Sequence, residues 1–235
     1  MKRIGLIGGM SWESSIEYYR IINQQVRSAL GGVHSAKSVM VSLDFGEIEE
    51  LQMRGDWKEA TRVMIQCASE VEKAGADFLL ICTNTMHLMA EEVQENINIP
   101  LLHIADATAR AVKARGLKTV GLLGTKFTME KEFYRGRLEK KHQLKVCVPD
   151  QAGREFVHNV IYDELVQGLI KDDSRQRYKE VIQKLVEDGA EGIVLGCTEI
   201  GLLVKKEDVS VPVFDTMEIH ALAAVDAALG KYELG

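Results

Sequence analysis

Four short stretches recur in the same order in the two halves of the chain, and this repeat limits the folds open to it more than any other feature. "IGLIGG" (Ile4–Gly9) returns as "VGLLGT" (Val120–Thr125) 116 residues later, and "EYYR" (Glu17–Arg20) returns as "EFYR" (Glu132–Arg135) 115 later. "LLICTNTMH" (Leu79–His87) is echoed by "IVLGCTEIG" (Ile193–Gly201), which sets Thr83 opposite Cys197, 114 residues apart. Pro100 and Pro212, 112 residues apart, align "INIPLLHIADA" with "VSVPVFDTMEI". A fixed order with a slowly drifting offset predicts two copies of one structural unit. The expected domains are residues 1–102 with 210–235, and residues 103–209.

Each copy reads as alternating strand and helix. "KRIGLIGG", "SVMVSLDF", "DFLLICTN", "KTVGLLGT", "LKVCVPD" and "GIVLGCTE" are short apolar runs closed by glycine or polar residues, as buried strands are. Between them, "SSIEYYRIINQQVRSAL", "KEATRVMIQCASEVEKAG" and "SRQRYKEVIQKLVEDGA" place apolar residues three and four apart, which predicts amphipathic helices. The last of these has Ser174 as its expected cap and Gly189 as its stop. Unbroken apolar strands alternating with helices imply an α/β fold: two pseudo-symmetric, doubly wound parallel-sheet domains. In such sheets ligands gather beyond the carboxyl ends of the strands, where the repeated motifs lie, so the active site is expected in the cleft between the two domains.

Composition narrows the function. The net charge of −6, spread along the chain, argues against nucleic-acid binding and gives no basic patch for a membrane surface. No apolar run is long enough to span a bilayer, and the start "MKRIGLIGGMSWESS" is too short in apolar residues for a secretory leader. Cys67, Cys82, Cys147 and Cys197 have no metal-ligand spacing, so no metal is expected and reduced thiols in a cytoplasmic protein are. "IGLIGGMSW" is not a dinucleotide fingerprint; it reads as a tight strand-to-helix turn that could bring Met10 and Ser11 to a ligand.

Of the four thiols, Cys67 falls inside a helix and Cys147 inside a strand, where both read as inert. Strand alternation turns Cys82 away from whatever Thr83 faces. Cys197 follows "GIVLG" and precedes a new element, where a helix start favours thiolate and its N–H groups suit a substrate carboxylate. Thr83, Asn84 and Thr85 form the equivalent cradle in the other copy, and His87 reads as a packing or capping residue.

With "TNTMH" (Thr83–His87), "GCTE" (Gly196–Glu199) and "GGM" (Gly8–Met10) in place, the chain resembles the aspartate/glutamate racemase family over essentially its whole length. The family's paired motifs are CNT-x-H and GCTE, and the resemblance implies a two-domain isomerase working without pyridoxal phosphate or any other cofactor. It implies that groups on opposite faces of the substrate α-carbon exchange protons, with Cys197 in one catalytic position and Thr83, departing from the family cysteine, in the other. A thiol has an unperturbed pKa of ~8.5 and a water-like hydroxyl ~15.7. Making the hydroxyl a base therefore costs roughly 10 kcal/mol more. Cys197 is then the base for L-substrates, and Thr83 donates a proton or positions a water that does. The expected substrates are L-aspartate, L-glutamate or a wider set of amino acids, held by Met10, Ser11, Gln52, Asn84, Thr85, Thr125, Thr198 and Glu199. Gln52 is chosen because "LQMRGDW" reads as a polar loop able to cover the site. The only partner implied is the small-molecule substrate, with a homodimer left open. Two alternatives stand: another reaction of the wider superfamily (decarboxylase, hydantoin racemase or cis–trans isomerase), and a non-catalytic module binding a dicarboxylate.

Overall fold

A computed structural model describes residues 1–234 and sets the two runs that open the repeat as interior strands of separate parallel sheets. In the first, β1 (Ile4–Gly8) lies between β2 (Ser38–Ser42) and β3 (Phe78–Ile81). In the second, β4 (Thr119–Gly124), β5 (Lys145–Cys147), β6 (Ile193–Gly196) and β7 (Val213–Asp215) run in the order β5-β4-β6-β7. The matched prolines do the same job in both sheets. The Leu79 N–H donates to the Pro100 carbonyl at 2.9 Å, and the Ile193 N–H donates to the Pro212 carbonyl at 2.9 Å. In the second sheet that edge is the strand β7, while in the first it is a single parallel bridge between Leu79 and Leu101.

Short polar caps start the helices. In the first half, α1 (Trp12–Leu30), α2 (Phe45–Arg54) and α3 (Trp57–Lys73) begin at Ser11, Asp44 and Asp56, whose side chains accept the N–H groups of Ser14, Gly46 and Glu59. Each satisfies a donor that the first turn leaves without a helical partner. A short helix, α4 (Ala90–Glu95), follows β3. In the second half come α5 (Ile104–Ala114), α6 (Lys126–Glu130), α7 (Gln151–Asp163), α8 (Asp172–Glu187) and α9 (Ile200–Leu203), and α10 (Thr216–Ala228) closes the chain. The expected Ser174 cap of α8 lies inside its first turn instead, with its hydroxyl on Glu164 at 2.7 Å. The helix starts at Asp172, where Asp172 and Asp173 are favoured by its positive end.

Two compact units result: Met1–Ile104 with the described residues from His220 on, and Ala105–Ile219. Residues 210–219, expected with the first unit, fall in the second because β7 pairs with β6 there. In the first unit Ile7, Leu79 and Ile81 pack with Met64, Ala68 and Val71 of α3. Ile4, Leu6, Phe78 and Leu80, of opposite parity, are equally buried, so both faces of the sheet are covered. In the second unit Leu123, Ile193 and Leu195 pack with Val157 and Ile161 of α7 and Tyr178, Ile182 and Leu185 of α8. The turn after β1 admits only glycine at position 9: φ is +88°, and an added Cβ would stand 2.1 Å from the Leu43 carbonyl oxygen. Among the described residues no helix is long and apolar enough to cross a membrane.

Candidate active site

Both repeats present their polar tetrads at the carboxyl edge of their own sheet. In the second unit β4 and β6 are neighbours that end at Gly124 and Gly196, so Thr125 and Cys197 leave the sheet side by side. The glycines allow this approach, since a Cβ on Gly124 would meet the Gly196 carbonyl at 2.8 Å. Thr125 caps α6, its Oγ1 accepting the Thr128 N–H at 3.3 Å.

Cys197, Thr198 and Glu199 are all buried and converge on one oxygen. The Cys197 thiol donates to Glu199 Oε2 at 3.0 Å, and the Thr198 hydroxyl donates to the same atom at 2.7 Å. Burial pushes the Cys197 thiol well above its ordinary value, and the Glu199 charge and the hydrogen bond to it push in the same direction. The N–H groups of Glu199 and Ile200 pull it down but are outweighed. The thiolate-favouring helix start expected from sequence therefore does not govern this sulfur; α9 is only four residues long, and a carboxylate stands beside the thiol. The resting group is a protonated thiol with its proton acceptor in place. Passing that proton to Oε2 leaves a scarce but strong base.

In the first unit β1 and β3 are also parallel neighbours, and they deliver Met10–Ser11 and Thr83–Thr85 to one edge. Thr83 is half-buried and lies between the end of β3 and a 3₁₀ turn over Thr85–Met89. Asn84 and Thr85 are buried. Cys82 is fully buried, and desolvation pushes its thiol far up, so it is a poor source of thiolate. Cys67, on α3, is pushed up to about 11, first by burial and then by Glu70.

The other residues expected at the substrate have structural partners of their own. Ser11 is the cap of α1: its hydroxyl accepts the Ser14 N–H, and its carbonyl accepts the hydroxyls of Ser14 and Ser15. Met10 is buried in the core of the first unit. Gln52 is not on a covering loop. It sits buried in the last turn of α2, with its amide 3.2 Å from the Met86 sulfur inside the "TNTMH" turn. The sequence marks His87, within that turn, only as a packing or capping residue, without the partners it holds. His87 Nδ1 lies 2.8 Å from the Thr83 carbonyl and His87 Nε2 lies 3.2 Å from the Ile104 N–H. The four-residue spacing from Thr83 was the available signal. Among the described residues no cluster of His, Cys, Asp or Glu is arranged to hold a metal ion.

Comparison with known proteins agrees with the motif pair. Residues 7–224 match the family described as Asp/Glu/hydantoin racemase. The crystal structure of an Asp/Glu racemase candidate from Yersinia pestis is 54% identical, covers 97% of this chain and 100% of its own, and superposes with a TM-score of 0.92. A structure of an aspartate racemase homologue from Pyrococcus horikoshii OT3 is 35% identical over 97% of this chain and 100% of its own, with a TM-score of 0.84. A broad-specificity amino-acid racemase of Bacillus subtilis is 25% identical over 74% of each chain.

Proposed function

The chain belongs to the Asp/Glu/hydantoin racemase family and is an amino-acid racemase, an isomerase; on that premise we propose that it converts L-aspartate, L-glutamate or a wider set of L-amino acids with one thiol instead of two. The observation that carries this reading is the contact from the Cys197 thiol to Glu199, set against a hydroxyl at the matching position 83. The Cys197 proton passes to Glu199 Oε2, and the thiolate then takes the substrate α-proton. A proton returns to the opposite face from a water held by Thr83 or from the Thr83 hydroxyl itself. The proton held on Glu199 neutralises the resulting hydroxide, or the Thr83 alkoxide, through solvent; the thiol was restored when it took the α-proton. Asn84 and Thr85 are the proposed holders of the substrate carboxylate, while Ser11 and Thr125 each cap a helix at the edge of their own sheet. The chain thereby falls in a subgroup of the family with threonine for the first thiol, and its preference is for L-substrates.

The test is α-proton exchange in deuterated water, followed by NMR across a panel of L- and D-amino acids, with chiral chromatography of the product. L-aspartate or L-glutamate should lose the α-proton signal and yield the D-form, and both should depend on Cys197. Absence of Cys197-dependent exchange with every L-amino acid would sink the proposal. Release of carbon dioxide instead would identify a decarboxylase.

A further inference from the structure

We propose that His87 is the positioning residue for the proton-returning side of the reaction: a neutral imidazole, fixed in one tautomer, that holds the Thr83 carbonyl and so sets where the Thr83 hydroxyl stands. The inference rests on the racemase reading of Thr83. A carbonyl can only accept, so the 2.8 Å contact from His87 Nδ1 to the Thr83 oxygen places the hydrogen on Nδ1. A backbone N–H can only donate, so the 3.2 Å contact with Ile104 requires a bare Nε2. Both contacts demand the same tautomer, and an imidazolium would set two donors against each other at Ile104.

Thr83 needs such a holder. β3 ends at Ile81 and the 3₁₀ turn begins at Thr85, so Thr83 belongs to neither, and its carbonyl is taken by a side chain. The ring that takes it is 2% exposed. Its centroid lies 4.5 Å from that of His103 and 5.9 Å from that of His220. His220 is fixed in the opposite tautomer, donating from Nε2 to the Leu102 carbonyl at 2.8 Å while Nδ1 accepts the Tyr18 hydroxyl at 2.9 Å. The turn is thus tied to Leu102–Ile104 by a ring that is itself hemmed in. The backbone N–H of His87 closes the same turn on the Asn84 carbonyl at 3.1 Å.

The test compares two readouts of one reaction. Exchange of the substrate α-proton needs only Cys197, because the thiol can return a solvent deuteron to the same face. Formation of the D-product also needs the Thr83 side. His87→Phe, which keeps a ring and removes both hydrogen bonds, should lower the ratio of D-product to exchange about tenfold, the size of effect one lost hydrogen bond can have. His87→Asn, whose amide can still donate to the Thr83 carbonyl, should keep the ratio within about threefold of wild type. Equal loss of both readouts in His87→Phe would reduce His87 to a packing residue, and a tenfold fall in ratio for His87→Asn would equally overturn the proposal. If His87→Phe does not fold, side-chain ¹⁵N NMR of the wild-type protein decides: His87 should be neutral with the proton on Nδ1, and a proton on Nε2 would end the idea. Wild-type protein with no Cys197-dependent exchange would bring down the racemase reading and this one together. Exchange intact with an unmoved ratio brings down only this one.

Discussion

The two tetrads stand at matching places beyond their strands, Thr83 two residues past the end of β3 and Cys197 one past the end of β6, and differ in how each sulfur or oxygen is treated. In the second repeat Cys197 faces a carboxylate that accepts its hydrogen bond. In the first repeat the sulfur stands one residue earlier, at Cys82, sealed in the core with no exposure, while position 83 carries a half-buried hydroxyl whose residue is gripped through its carbonyl. In the proposed reaction one copy moves a proton off a side chain and the other holds a side chain still.

The hardest test of that division removes its active half. Cys197→Ala should depress α-proton exchange from L-aspartate or L-glutamate by about 10³-fold or more, within the range of acid–base catalysis. Retention of a tenth of the wild-type rate would take Cys197 out of the mechanism. Next, Thr83→Cys should make the copies alike and raise α-proton exchange from the D-enantiomers by at least about tenfold, since a thiol is far easier to ionise than a hydroxyl. The swap removes one methyl group and costs about 1 kcal/mol or less of packing. No gain with D-substrates in a folded variant would mean that position 83 does not face the substrate.

A finer test concerns the carboxylate. Glu199 raises the Cys197 pKa both by its charge and by accepting the thiol hydrogen bond, so Glu199→Gln should move thiolate formation at Cys197 to lower pH. The measurement is the pH dependence of thiolate ultraviolet absorbance, taken as the difference from the same protein carrying Cys197→Ala. A shift to higher pH would show that Glu199 does not act on the thiol as placed. Smallest of all should be the effect of Cys82→Ser on turnover, within about twofold, with stability lowered by ~1–2 kcal/mol for burying a hydroxyl in place of a thiol. If Cys82→Ser kills exchange while Thr83→Cys stays inert, the copies have been matched one residue out of register, and Cys82 is the partner of Cys197.

The frame of both units was legible because buried parallel strands are written as unbroken apolar runs. Ile4–Gly8, Thr119–Gly124 and Ile193–Gly196 sit where their pattern put them. The matching prolines aligned the repeat, but neither the edge strand β7 beside Pro212 nor the single bridge beside Pro100 was expected. Less legible was anything decided by a side chain's neighbours in space. Gln52 looked like loop because Gly55 and Asp56 follow closely, yet these residues end α2 and cap α3. The balance on Cys197 depends on how deeply it is buried and on which way Glu199 turns, and neither is written in "GCTE". His87 could be placed in a packing role, but its grip on Thr83 needed the turn to be closed first.

The burial of Cys82 also bears on how the protein meets oxidants. Peroxides attack exposed thiolate, climbing from sulfenic to sulfinic acid. Cys82 offers neither exposure nor thiolate, and threonine at 83 has no sulfur to lose. A two-thiol site can be damaged on either side of its substrate. Here the first repeat presents no accessible thiol at its motif edge, so loss of the proposed site through thiol oxidation should follow the fate of one sulfur, Cys197, and substrate seated over that sulfur should shield the enzyme.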